Sequence, residues 1–305
     1  MNTDKGIKVL VSDYLSECDI VEVSAQTYSR TLNVFINWMV TGSPDIRNPT
    51  KADIINFKKH LEKSGKTALT IDNYMKVLGL FFKWLASKGY HSDISKGTHH
   101  RKNYKGHRKG YLTIDQVVNL LKSLSTESLT KKRNTAIIQL MIRTGLRCIE
   151  VSRLSVSDIV SNDAGYSLRI QRKGHKEKDQ VIGISPKVYD PIENYLIERK
   201  HFKESDPLFI NHHTTNPDAV SLSSVAISRI VMNILSNQGL SSKTITTHSL
   251  RHTCAVNAYK ETLDIYAVQK MLGHTNIQTT QIYISSLEAE TLRINPACIA
   301  LDKVY

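Results

Sequence analysis

Cysteine is scarce in this 305-residue chain, and the four present (Cys18, Cys148, Cys254, Cys298) form no Cys-x-x-Cys pair. That scatter excludes a disulfide framework and a thiolate zinc site, and it fits reduced thiols in a cytosolic protein. The adjacent histidines His99-His100 and His212-His213 lack the partner spacing of a metal site, so no metal is expected. Long apolar runs are missing too. The stretch Ala136–Ile142 is far too short to span a bilayer, and Met1–Lys5 lacks a signal-peptide core. A cytoplasmic protein without membrane contact is the expectation. There is no Gly-x4-Gly-Lys-Ser/Thr loop to cradle a nucleotide and no acidic triad to hold paired metals. Acidic residues are themselves in the minority, 28 against 41 Lys and Arg, leaving a net charge of +13. Such an excess favours a polyanionic partner, because each neutralised phosphate releases counterions. Charge alone identifies no reaction.

What is present reads as two globular domains, with 40% hydrophobic and 23% charged residues. Residues from about 6 to 90 carry helical periodicity. Tyr28, Leu32, Phe35, Trp38 and Met39 share one helical face, and Tyr74, Leu78, Phe81, Trp84 and Leu85 repeat that face at a constant offset of 46 residues. Between them Thr50 and Asp53 form a capping pair ahead of Ile54, Phe57 and Leu61, which predicts a bundle of about four short helices. The aromatic residues belong to its core. From Lys96 to Lys109 the chain holds six Lys/Arg, three His and no acid, the composition of a linker.

A second domain starts sharply at Thr113, which caps a helix with Gln116 while Leu112 and Val117 staple its entrance. Helical patterns run through Lys132–Arg143 and Glu150–Leu154. Tyr166–Arg172 and Gln180–Ile184 alternate as a hairpin whose turn is Lys173–Lys176. Ser185-Pro186 opens another helix, Ser223–Asn237 forms one that closes near Gly239, and helices follow around 250–259, 265–272 and 277–285. The expected fold is mainly α with a small β-hairpin or sheet.

Chemistry concentrates in His248-Ser249-Leu250-Arg251-His252-Thr253, Leu272-Gly273-His274 and Thr280-Gln281-Ile282-Tyr283, together with the upstream Thr144-Gly145-Leu146-Arg147, whose arginine reads as buried. On a helix, His248 and Arg251 face the same side. Two arginines can grip the non-bridging oxygens of a phosphodiester, a histidine can take a proton, and a tyrosine can become bonded to phosphorus. A free phenol ionises near pH 10, at about three units above neutrality, so the nucleophile needs cations and a base beside it.

These boxes, at these spacings, resemble the tyrosine recombinases, the phage-integrase family, and the resemblance covers nearly the whole chain. It implies an N-terminal helical core-DNA-binding domain (1–95), a basic linker (96–110) and a catalytic domain (111–305), forming a clamp around DNA. The short segment from Met1 to Val23 leaves no room for an added arm-site-binding domain, which implies the Xer and Cre type of architecture over the lambda-integrase type. The implied catalytic set is Arg147, Lys173, His248, Arg251, His274 and the nucleophile Tyr283, with Glu150 orienting a guanidinium. His248 accepts the phenol proton, His274 donates to a non-bridging oxygen, and Lys173 protonates the departing 5′ oxygen. In Arg172-Lys173-Gly174-His175-Lys176-Glu177-Lys178 the pattern departs from the family's Gly-Lys-Gly-Asn-Lys-Glu-Arg, with Arg172 in place of the first glycine and His175 in place of the asparagine. Arg143 receives no role.

The implied reaction is two transesterifications through a 3′-phosphotyrosyl bond, with no metal, nucleotide or other cofactor. The implied partner is double-stranded DNA carrying a specific recombination site, lined in the linker by Lys96, Arg101, Lys102, Lys105, Arg108 and Lys109. A homotetramer on paired sites is expected, the tail 285–305 (Leu287, Leu292, Ile294, then Ile299–Leu301) coupling the protomers. An accessory DNA-bending protein or a partner recombinase completes the range of partners. Two alternatives stand beside this reading: a non-catalytic DNA-binding regulator and a type IB topoisomerase-like enzyme.

Overall fold

The computed structural model describes residues 3–20, 22–42, 45, 48–98, 110–163, 165–212 and 220–294. The chain divides into two compact units, Met1–Lys105 and Gly106–Tyr305. Of the six linker cations, Arg101, Lys102, Lys105, Arg108 and Lys109 lie outside the described residues. Lys96 sits exposed in a turn, where Ser95 Oγ donates to Asp93 (2.5 Å) and Thr98 Oγ1 donates to the Ser95 carbonyl (2.6 Å).

Four helices build the first unit: α1 (Thr3–Glu17), α2 (Glu22–Gly42), α3 (Lys51–Lys63) and α4 (Ala68–Ser87). The opening segment 1–23 therefore carries a helix of its own. The 46-residue repeat is structural, because Leu32 and Leu78, Phe35 and Phe81, and Met39 and Leu85 are buried pairwise in one core. Trp38 and Trp84 flank that core, each partly buried, and the Trp84 indole N–H donates to Glu17 (2.9 Å). The Thr50–Asp53 capping box is formed in both directions, with Asp53 Oδ2 accepting from the Thr50 amide at 2.8 Å.

The second unit wraps helices around α6 (Leu129–Thr144), whose residues are buried on nearly every side. Before it comes α5 (Ile114–Lys122), opened by the Thr113–Gln116 capping box with Leu112 buried at its entrance. After it come the short α7 (Cys148–Ser152) and three antiparallel strands, β1 (Ile159–Asn162), β2 (Gly165–Ile170) and β3 (Gln180–Ile184), in the order β1-β2-β3. The expected hairpin is thus β2–β3, registered Tyr166↔Ile184 to Ile170↔Gln180, and β1 is a third strand paired Ile159↔Leu168. Leu168 and Ile170 point into the core that α6 shares with α8 (Pro186–Arg199) and α9 (Ser224–Asn237). Pro186 starts α8 as expected, although the Ser185 side chain makes no capping bond.

Three helices close the chain: α10 (Thr247–Thr262), α11 (Ile265–Leu272) and α12 (Ile277–Ile294). A small apolar cluster of Ala255, Val268, Leu272, Tyr283 and Ile284 joins them. The last helix runs well past Ser285, so Leu287, Leu292 and Ile294 belong to it, while Ile299–Leu301 lie outside the described residues.

Candidate active site

The site is assembled around the ends of helices. An α-helix leaves its last carbonyls unpaired and carries a partial negative charge there. Gly145 caps α6 at φ 66° and Gly273 caps α11 at φ 66°. A Cβ at Gly145 would come within 2.6 Å of Leu272, so both backbone conformation and space demand glycine. The carbonyls released at these two ends converge on one guanidinium. Arg251 Nη1 donates to the Gly145 carbonyl (2.6 Å) and Nη2 to the Leu272 carbonyl (2.8 Å). Arg251 is 2% exposed, and its buried Nε–H has no acceptor among the described residues. Burial first, and then repulsion from Arg147, lowers its pKa to about 10, which leaves the cation fully charged at neutral pH.

Glu150 holds the cations together. It is fully buried on α7, with Oε1 2.8 Å from Arg147 Nη1 and Oε2 3.4 Å from Arg172 Nη1 and 3.9 Å from Arg251 Nη1. Its Oε2 also accepts from the Arg147 amide at the start of α7 (2.9 Å). Burial alone would raise the Glu150 pKa. The amide of Arg147 and the charges of Arg147 and Arg172 outweigh it and hold the carboxyl below its ordinary value, so it is ionised. Arg147 departs from the expected burial, because its side chain is 25% exposed. That exposure leaves part of its planar fork open to an incoming anion.

Lys173 stands in the β2–β3 connection with its side chain exposed, and its amide is 3.5 Å from Glu150 Oε1. Of the neighbouring lysines, Lys178 is engaged with the buried Asp158 and with Ser155. Arg143, on α6, donates to Gln139.

The nucleophile candidate and its base meet across two helices. His248 Nε2 is 2.6 Å from Tyr283 Oη, joining the first turn of α10 to α12. Tyr283 is 4% exposed whereas His248 is exposed. His274 completes the arrangement, its ring 5.6 Å from that of Tyr283. A guanidinium can only donate, so His274 Nε2 accepts from Arg251 Nη2 (2.8 Å) and its Nδ1–H donates to Thr280 Oγ1 (2.9 Å). Burial, followed by the charges of Arg251 and Arg147, lowers the His274 pKa to about 3, so the ring is neutral. The sequence points to His274 as a donor to phosphate, but in this state its Nε2 is an acceptor.

Arg147, Glu150, Arg251, His274, His248 and Tyr283 are therefore brought together, with Lys173 tied in through its backbone. Two further residues of the site carry no role in the sequence motifs. His252, 3% exposed, donates Nε2–H to the Tyr283 carbonyl (2.7 Å) and packs against that tyrosine's ring at 5.1 Å. Arg172, also 2% exposed, bridges Glu150, Gln180 and the Met271 carbonyl. The spacing of His252 to Arg251 is visible in the sequence, but one turn of helix does not say which carbonyl a histidine will meet.

Residues 110–290 match the phage integrase family, and residues 7–89 match the phage integrase N-terminal SAM-like domain. The chain is 31% identical over 287 residues to the tyrosine recombinase XerD of Listeria monocytogenes serotype 4b, covering 90% of this chain and 93% of that one. It is 26% identical over 268 residues to the tyrosine recombinase XerC of Thermodesulfovibrio yellowstonii, covering 85% and 84%. In fold it is similar to the XerH site-specific recombinase bound to a palindromic difH substrate in a post-cleavage complex. There the TM-score is 0.73 at 21% identity, covering 89% of this chain and 79% of that one. A lambda integrase dimer bound to a COC′ core site gives a TM-score of 0.69 at 19% identity, over 90% and 76%. The chain belongs to the phage integrase family, the tyrosine site-specific recombinases.

Proposed function

We propose that this protein cuts and rejoins double-stranded DNA at a specific recombination site through a 3′-phosphotyrosyl intermediate on Tyr283. The observation that carries the reading is the 2.6 Å contact between Tyr283 Oη and His248 Nε2, set beside a buried cluster of arginines. Arg147 and Arg251 grip the non-bridging oxygens and stabilise the charge that builds on the pentavalent phosphorus. His248 takes the phenol proton as Oη bonds to phosphorus; the bond to the 5′ oxygen breaks, and Lys173 supplies that oxygen with a proton. A 5′ hydroxyl, from the same or a partner duplex, then attacks the phosphotyrosine and releases Tyr283. His274 orients Arg251 before DNA arrives, and the phosphate's negative charge favours protonation of its Nε2, which then donates to a phosphoryl oxygen.

Residues 1–95 and 111–305 act as the core-binding and catalytic domains, and the cations between them (Lys96, Arg101, Lys102, Lys105, Arg108 and Lys109) track the phosphate backbone. Four protomers assemble on two paired sites in the cytoplasm, with a bending protein or second recombinase as further partner. A nicked suicide duplex tests the chemistry. Wild-type protein is expected to form an SDS-resistant adduct that Tyr283→Phe does not form while still binding DNA, and EDTA is expected to leave cleavage unchanged. An adduct on the Phe variant would sink the assignment of the nucleophile.

A further inference from the structure

Arg172 is buried to 2% exposure and makes bonds to three elements at once. Its Nε donates to Gln180 Oε1 on β3 (2.6 Å), Nη1 lies 3.4 Å from Glu150 Oε2 on α7, and Nη2 donates to the Met271 carbonyl near the end of α11 (3.0 Å). Its own carbonyl accepts from the His175 amide (3.1 Å) and from Arg153 Nη1 (3.5 Å), which folds the connection back on itself. The next residue is Lys173, whose amide faces the other oxygen of Glu150. Against the far side of the guanidinium lies Gly273, where an added Cβ would stand 2.5 Å from Arg172 Nε. His274 follows immediately.

We propose that Arg172 is a positioning residue: its planar fork ties the turn that carries Lys173 to Glu150 and to the Leu272-Gly273-His274 turn, fixing proton donor and phosphate grip in one register before DNA arrives. The inference rests on the reading of the site given above. The Arg172 fork is taken up by Gln180, Glu150 and the Met271 carbonyl, so any effect on cleavage passes through these neighbours. A planar guanidinium with three acceptors in three directions resists rotation as well as translation, which an ammonium in the same place cannot do. Of its three cations Glu150 would keep Arg147 and the more distant Arg251 if Arg172 were replaced. The turn 171–179 would no longer be bonded to α11 through that side chain.

The test uses the full-length chain on a nicked duplex carrying the site recovered by trapping wild-type protein on DNA. Wild type and Tyr283→Phe serve as controls; no adduct with wild type means that the reading of the site has failed, whatever Arg172 does. Arg172→Met keeps the volume and loses the fork. Its duplex affinity is expected to stay within about twofold, while its single-turnover rate of adduct formation falls roughly 30- to 100-fold, the scale of a misplacement of about 1 Å. Arg172→Lys is expected to recover part of that loss. Gly273→Ala should cost less rate in the Arg172→Met background than in wild type, because the flexible Met end can yield to the added Cβ where the anchored guanidinium cannot, while the positive φ remains. Wild-type cleavage by Arg172→Met, or strict additivity with Gly273→Ala, overturns the proposal. If Arg172→Met does not fold, Gln180→Ala decides: removal of the Nε acceptor is expected to slow cleavage several-fold, and an unchanged rate overturns the proposal.

Discussion

A neutral histidine held among three arginines makes stability depend on pH in a definite direction. The folded His274 pKa is about 3 against an ordinary value of 6.5. Between these values the unfolded chain binds a proton that the folded chain does not, so the contribution is complete above pH 6.5 and is lost as pH falls toward 3. The expected slope is about 1.4 kcal/mol per pH unit from this group. Urea unfolding of wild type and His274→Gln across that range checks it: the variant should show a shallower slope, and an identical slope refutes the assignment. Glu150, whose carboxyl is held below its ordinary value, acts with the same sign at lower pH. His252 makes a second residue-level prediction. His252→Phe keeps a ring against Tyr283 but removes the donor to its carbonyl. The expected cost is about 1–3 kcal/mol of stability and roughly tenfold in adduct formation; unchanged cleavage would make the hydrogen bond incidental. At this scale the sequence is partly legible. Motif spacing gathers Arg147, Arg251, His274 and Tyr283, but Arg172 reads in sequence like any other cation of a basic turn, and only burial separates it from Lys173.

Helix ends, more than helices, organise the centre of the second unit. Gly145 and Gly273 let α6 and α11 stop where their last carbonyls can reach Arg251, and the negative helix ends favour its charge. Gly145→Ala must adopt a left-handed backbone and push on Leu272, so a loss of roughly 2–4 kcal/mol is expected in urea unfolding. A variant as stable as wild type would show that α6 can end in some other way. Capping boxes at Thr50 and Thr113 and the 46-residue repeat of α2 and α4 are legible because each is local or periodic. The strand β1 is not. Its four residues, Ile159–Asn162, are half exposed and too short to alternate visibly, and they become a strand only by pairing with β2.

For the whole molecule, the formal charge of +13 sets the salt response. DNA affinity should fall with a log–log slope of about −0.9 per phosphate neutralised. Replacing Arg101, Lys102 and Lys105 by Ala should make that slope shallower by roughly one for each phosphate no longer neutralised, with single-turnover cleavage at saturating protein unchanged. An unaltered slope would place the linker away from the backbone. Assembly gives the second expectation at this scale: a monomer alone, a cyclic tetramer on two sites. Truncation after Ser286 removes the end of α12 and should leave single-site binding intact while synapsis and strand exchange drop. Normal recombination by the truncated chain would make that segment local packing.

The two glycine turns carry a consequence for descent. Gly145, Gly273, Arg251 and Glu150 hold one another in place whether or not any bond is ever cut. A descendant of this chain that lost the Tyr283 hydroxyl would still lose stability with any of the four. Selection for a stable, DNA-bound but inert protein would therefore preserve most of the signature by which an active one is identified. In such a lineage the boxes record the survival of the scaffold, and a single oxygen atom distinguishes the enzyme from its silent heir.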